Sequence, residues 1–384
     1  MAQGNNNNRN DVVYSQSLTE ETTNTRLATG TLTYPPPELS TLPFDLLPEI
    51  FCKLPVKLLV QLRCVCKFFN SLISDPKFAK KHLQFSTKRY HLMVTSWNIS
   101  HELVLHDFPF PLVYRSSTVV PQAQLYPPNG DKGVDVLCYC DGIFCCVVLS
   151  VHSPFLWNPS IRKFKLLPPL ENPPKGYPLG YHYSISLGYD HFIDNYKVIL
   201  VSSKNEVYAN TLGTEYWTRM QDIPYSNCIR GQGVFVSGTV NWLESDDSSI
   251  ISLDLEKESY QQLFLPDFEN LNDWLTLSEL RDSLCVFATC DLILNVWIMK
   301  EYGNQESWTK VYSVSNMQDR GLKPYTVSYI SEDDQLLVGV ADMRGRNRKV
   351  VVYDSKTGTL NIPEFQNNYE QIDSNVYIES LISP

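Results

Sequence analysis

Apolar residues along the 384-residue chain follow two different rhythms. From Leu42 to Phe69 the run LPFDLLPEIFCKLPVKLLVQLRCVCKFF is dense in large side chains at helical spacing. Leu46, Ile50 and Leu54 recur at i, i+4, with Leu47 and Phe51 beside them, and Asp45 is placed to cap this helix. Pro48 is tolerated in the first turn, where its missing amide would have no intrahelical acceptor; Pro55 stops the helix. A second helix is predicted from about Lys57, with Leu58, Leu62 and Val65 on one side and Cys64-Val65-Cys66 within it. In SDPKFAKKHLQ, Asp75 supplies a cap and Pro76 a first helical position for another. Such short helices, apolar around much of their circumference, bury little surface by themselves. Side chains such as Leu46, Ile50, Leu54, Val65 and Leu72 must pack on the rest of the chain or meet a partner.

From residue 91 the rhythm changes. Apolar runs of strand length alternate with turn residues: YKVILV (196–201), SLCVFATC (283–290), QLLVGVA (335–341) and KVVVYD (349–354). No long helical period intervenes, which predicts a mostly β domain. A repeat runs through it. In LWNPSIRKFKLLPP (156–169), SLDLEKESYQQLFLP (252–266) and VYDSKTGTLNIPEF (352–365), a large apolar residue ends a strand (Trp157, Leu253, Tyr353). Asn or Asp follows (Asn158, Asp254, Asp354), then a tight turn. An apolar residue appears seven positions after the first (Phe164, Tyr260, Leu360). Residues 207–224 and 296–312 carry the same device with longer turns. The strand ends Trp157, Tyr208, Leu253, Trp297 and Tyr353 lie 51, 45, 44 and 56 residues apart, and a strand near Val104–Leu105 would add an earlier copy. Hairpins at periods of about 40–50 residues are the signature of a β-propeller of small antiparallel sheets, here of about six blades. The aromatic residues at these positions read as wedges between neighbouring blades.

Residues 1–39, rich in Asn, Thr and Ser and containing Pro35-Pro36-Pro37, read as a disordered tail. Composition then divides the remainder. The net charge of −10 is uneven: residues 40–90 carry +6 and residues 91–384 carry −14. An acidic β domain is a poor general binder of nucleic acid, whose phosphates dominate affinity; its charge favours a basic protein target instead. No apolar run reaches the roughly 18 residues needed to span a bilayer, and the N-terminal residues lack a charged-then-apolar signal pattern. The expected location is cytoplasmic, nuclear or both, with the ten cysteines reduced.

Leu42 to Phe78 resembles an F-box, through Leu42-Pro43, DLLPEI (45–50), LPVK (54–57), RCVCK (63–67) and LISDPKF (72–78). Many F-boxes carry Trp where this chain has Phe69, a smaller ring that should weaken packing inside the module. The remainder resembles the plant F-box associated domain, also described as kelch-like. CDGIFCC (140–146), LWNPSIRKFKLLP (156–168), SLGYD (186–190), DNYKV (194–198), GVFVSGTVNWL (233–243) and VWIMKEYGNQESWTK (296–310) carry this second likeness. The resemblance implies a small all-α F-box at 40–85 followed by an all-β, propeller-like domain at 91–384. It implies the substrate-recognition subunit of a Skp–cullin–F-box ubiquitin ligase, with no catalytic residues and no cofactor. The F-box would dock a Skp-type adaptor and through it a cullin–RING scaffold, while the β domain holds the protein to be ubiquitinated. By match to the motif, Leu42, Pro43, Leu46, Ile50, Leu54, Pro55, Val65 and Leu72 should carry adaptor contact, with Lys67 as a polar rim.

Two other readings compete. Kelch-like propellers include copper oxidases with a Tyr–Cys cross-link, but this sequence offers no His/Tyr metal cluster. The two histidines of HELVLH (101–106) are five apart, whereas a helical zinc pair needs four, and the segment reads as a strand. The cysteines of CYCDGIFCC match no CxxC pair; adjacent Cys145 and Cys146 should point to opposite faces of a strand as buried free thiols, and Cys64 and Cys66 are read the same way. In the third reading the helices merely cap the propeller as a scaffold. Target contact is expected on loops between strands, with candidates at 170–180, 224–233, 244–249 and 342–349.

Overall fold

The computed structural model describes residues 46–85, 89–97, 103–115, 118–119, 123–125, 134–148, 153–169, 183–225, 228–268, 274–290, 292–315, 317, 320–365 and 373–384. The tail read at 1–39, the cap at Asp45, and Leu42 and Pro43 lie outside these residues.

Four short helices open the described chain: α1 (Leu47–Phe51), α2 (Val56–Leu62), α3 (Lys67–Ser74) and α4 (Pro76–Phe85). Pro48 sits in the first turn of α1, and Asp75 caps α4 by accepting the Lys77 amide at 2.8 Å. The second helix ends earlier than its apolar spacing suggests. Residues 63–65 form turns, and Cys66 begins α3, its sulfur accepting the Phe69 amide at 3.4 Å. Cys64 and Cys66 are therefore exposed, not buried on a helix. The helices turn Phe51, Cys52, Val56, Leu59, Ile73, Phe78 and Ala79 inward. Phe69 meets Phe51 edge-on, ring centroids 5.0 Å apart, so the smaller ring still finds an aromatic partner.

Six four-stranded antiparallel sheets follow, forming a six-bladed β-propeller. Blade 1 is built from Tyr90–Trp97, Leu103–Pro109 and Ala123–Leu125, with the C-terminal strand Asp373–Ile378 added at the inner edge. Its register, Tyr90 opposite Ile378 through Thr95 opposite Asp373, closes the ring with the two ends of the β domain. Blades 2 to 6 occupy residues 134–166, 183–219, 229–264, 274–314 and 322–361. A short helix not foreseen from the sequence, α5 (Phe110–Arg115), interrupts blade 1 between its third and fourth strands.

The sequence repeat is the third strand and outer hairpin of each blade. Trp157 faces Phe164, Leu253 faces Tyr260, and Tyr353 faces Leu360 in direct register. The acid or amide after each apolar residue builds its turn: Asn158 Oδ1 accepts the Ser160 amide, Asp254 Oδ1 those of Glu256 and Lys257, Asp354 Oδ1 those of Lys356 and Thr357, all at 2.9–3.1 Å. The large apolar residue wedges against the preceding blade: Trp157 packs with Met93 and Leu105 of blade 1, Leu253 with Ile199 and Val207 of blade 3, Tyr353 with Leu294 and Val296 of blade 5.

The other quoted motifs serve the same frame. Asp141 and Gly142 both take positive φ, the geometry of a tight hairpin, and a Cβ on Gly142 would lie 2.5 Å from the Ile378 carbonyl oxygen. Asn158, fully buried, donates from Nδ2 to the carbonyls of Ser380 (3.1 Å) and Ile382 (2.8 Å), pinning the chain end that closes the ring. Lys197 joins blade 3 to blade 4 by pairing with Asp190 (2.8 Å) and Glu258 (3.0 Å).

The cysteine-rich strand is structural. Cys145 faces the core shared with blade 3, and Cys146 faces the core shared with blade 1. Burial pushes the Cys140 and Cys146 thiols well above their usual range, which keeps them protonated and inert. His106 of HELVLH is buried on the strand Leu103–Pro109, and burial lowers its pKa.

Candidate protein-binding surfaces

The helical module buries one side and exposes another. Its inner side joins a hydrophobic core with Cys140, Ile143, Leu156, Tyr196 and Leu381 of the propeller. Lys80 of α4 pairs with Asp194 at 2.7 Å, in the turn between the first two strands of blade 3, and stands over the Tyr189 ring. Arg89 donates to the Lys53 carbonyl at 3.2 Å. His82, 1% exposed, places Nε2 2.9 Å from the Leu54 carbonyl oxygen. A carbonyl only accepts, so Nε2 carries the proton. Burial pushes the His82 imidazole below its usual value, so the neutral ring holds the Leu54–Pro55 corner in place.

The predicted contact residues divide on this frame. Leu46 and Ile50, on one side of α1, are 45% and 41% exposed. Val65, in the turn after α2, is 65% exposed, and Lys67 at the start of α3 is exposed as well. Leu54, Pro55 and Leu72 are half-buried, Leu54 and Leu72 packing against the inner core. The pair α1 sends inward is Leu47 and Phe51, which frees the Leu46–Ile50 side. Sequence reasoning left out Phe68, 45% exposed beside Lys67, and placed Leu58, 39% exposed, on a helix face without a contact role. Their position in the same apolar run was the available signal. Several large apolar side chains exposed on so small a module form the kind of patch that interaction surfaces use.

The second surface is set by blade topology. In each antiparallel blade the turn from strand one to two lies at the end opposite the turn from two to three, and the passage to the next blade leaves from the latter end. The helical module rests on the side of the one-to-two turns, as the Lys80–Asp194 pair shows. Loops 244–249 and 342–349 belong to the other side, as does the described part of 224–233, which is not all loop: residues 229–233 open the first strand of blade 4. Loop 170–180 lies outside the described residues. In loop 342–349, Asp342 organises the basic stretch by accepting the amides of Arg344 and Arg346 at 2.9 and 2.8 Å.

On this far side an axial chamber of about 440 Å³ opens between the inner strands. At its lip Trp274 is 67% exposed, with the Arg230 guanidinium 5.0 Å from its ring centroid. Arg230 is held by Asp247 (2.6 Å) and the Leu275 carbonyl (2.7 Å). Burial raises the Asp247 carboxyl pKa although Arg230 stands beside it. A rigid aromatic with a fixed cation is the composition of a binding hot spot. Among the described residues no group of three or more His, Cys, Asp or Glu side chains could hold a metal.

Comparison with known proteins agrees with this division. Residues 39–81 match the F-box domain, and residues 100–384 match the F-box associated beta propeller domain. The chain is 28% identical over 367 residues to the F-box/kelch-repeat protein At3g23880 of Arabidopsis thaliana, covering 89% of this chain and 96% of that one. It is 25% identical over 391 residues to F-box protein CPR1 of the same plant, covering 90% and 89%. F-box protein At5g49610, also from Arabidopsis thaliana, is 25% identical over 303 residues, covering 73% and 81%. A helical module with an oily outer side, joined to a six-bladed ring, places this chain among the F-box proteins that carry an F-box associated β-propeller domain.

Proposed function

We propose that the protein is the substrate receptor of a Skp–cullin–F-box ubiquitin ligase, with the adaptor on the outer side of the helices and the target on the far side of the propeller. The observation that carries this reading is the exposure of Leu46, Ile50 and Val65 on a module whose other side is fixed to the ring. Each such side chain contributes about 1.5–3 kcal/mol when fully buried, so a few of them suffice for a stable complex. The two surfaces lie on opposite sides of the blades, so adaptor and target can be held together without competing. The receptor supplies position; the transfer chemistry belongs to its partners.

The target is read as a protein with a basic segment, because the domain is acidic overall. Trp274 and Arg230 are its proposed anchors. Affinity purification of the full chain with the proteasome blocked tests this. The native chain is expected to recover a Skp-type adaptor, a cullin and a ubiquitinated protein. Trp274→Ala should cut recovery of the target about tenfold and leave the adaptor unchanged. Equal recovery of the target by both forms would remove Trp274 from the site, and failure to recover the adaptor would remove the ligase reading.

A further inference from the structure

Where α2 approaches blades 1 and 6, the fold leaves an open-sided cleft of about 730 Å³, within the size range of small-ligand sites. Its wall is aromatic. Phe110 meets Tyr329 edge-on at 4.3 Å, Tyr329 meets Tyr90 at 4.9 Å, and Phe110 meets Tyr114 at 5.1 Å. Two of these rings come from α5, the insertion that sets blade 1 apart from the blades that join strands three and four directly. The fold thus spends a blade-specific element on building this wall.

The polar groups are few and one-sided. The Tyr114 ring lines the cleft, but its buried hydroxyl, without a hydrogen-bond partner among the described residues, is closed off from it. Lys57, exposed on α2, has no ion pair among them either. Arg89 gives one nitrogen to the Lys53 carbonyl. The acid in the wall, Glu379, is engaged by His91 Nε2 at 3.4 Å, and His91 Nδ1 lies 2.8 Å from Asp107. The positive charge left facing the cleft therefore exceeds the negative. A lysine and an arginine with donors to spare want an anion.

We propose that this cleft binds a small planar aromatic acid, its ring laid against Tyr90, Phe110 and Tyr329 and its anionic group between Lys57 and Arg89. The site does not depend on the ligase reading. Because α2 forms one wall and the propeller the other, an occupant would brace the helical module against the ring.

The test is a fluorescence titration of the full chain with 1-anilinonaphthalene-8-sulfonate, an aromatic anion, against the neutral N-phenyl-1-naphthylamine. Saturable binding of one anionic dye per chain is expected. Lys57→Glu should weaken the anion at least tenfold and the neutral dye less than twofold. Gln61→Trp, which points a large side chain into the cleft from the exposed side of α2, should abolish both. Unsaturable binding, several dyes per chain, or affinities that these variants leave unchanged would overturn the proposal.

Discussion

Ile50→Asp is expected to lower the affinity for a Skp-type adaptor about a hundredfold or more while leaving the propeller folded. Ile50 is 41% exposed in the chain alone, so aspartate there is solvated and costs the free protein little. On the proposed adaptor interface the same position is dry. The loss combines the burial energy of a large apolar side chain with the desolvation of a carboxylate that has no partner. A total of about 3 kcal/mol corresponds to about a hundredfold in affinity. Titration calorimetry of the full chain with the adaptor checks the figure, and a melting curve unchanged within a degree or two shows that the loss is not unfolding. Undiminished binding would move the interface off α1.

Lys197→Met is expected to cost the propeller about 3–5 kcal/mol, the penalty for leaving a buried charge without its partner. Lys197 and Asp190 have side chains 9% and 2% exposed, and their ion pair spans 2.8 Å. Burial opposes the charge on Lys197, yet the hydrogen bonds to Asp190 and Glu258 outweigh it and raise its pKa. Asp190 also accepts the Phe192 amide at 2.9 Å and the Ile193 amide at 3.3 Å, so its carboxylate is built into the turn that carries Asp194. Methionine fills the space of the lysine stem but leaves that carboxylate stranded. Denaturant unfolding measures the loss, and Asp190→Asn added to Lys197→Met should restore part of it. A cost below about 1 kcal/mol would show that the turn amides and water satisfy the Asp190 carboxylate without the lysine. Lys80 pairs with this same turn, so the double effect should reach the seat of α4.

What the sequence made legible was local. An Asx residue bonds amides two and three positions on, so Asn158, Asp254 and Asp354 announced their hairpins, and the register seven residues later followed. Strands such as Ser283–Cys290 and Lys349–Asp354 match their apolar runs residue for residue. Features made by distant parts of the chain were not legible. The closing of blade 1 by Asp373–Ile378 depends on a partner nearly 300 positions away in sequence. α5 contains Pro111 and only six residues, too short for a helical period to show. The break at 63–66 falls within a spacing that still looks helical, and it leaves Cys64 and Cys66 in solvent. Of the surfaces, the apolar run named the module but not which of its side chains turn inward. Loop faces needed the blade order, and Trp274, outside every loop expected to meet a target, stands out only by its exposure.

The central claim is that the outer side of the helical module, and no other surface, receives the adaptor. Hydrogen exchange on the full chain, with and without a Skp-type adaptor, tests it most directly. The account predicts slowed exchange in peptides covering Leu46–Phe51 and Arg63–Phe69, with the far-side loops 244–249 and 342–349 unchanged. Unaltered exchange in both helical segments, or protection confined to those far-side loops, would contradict it.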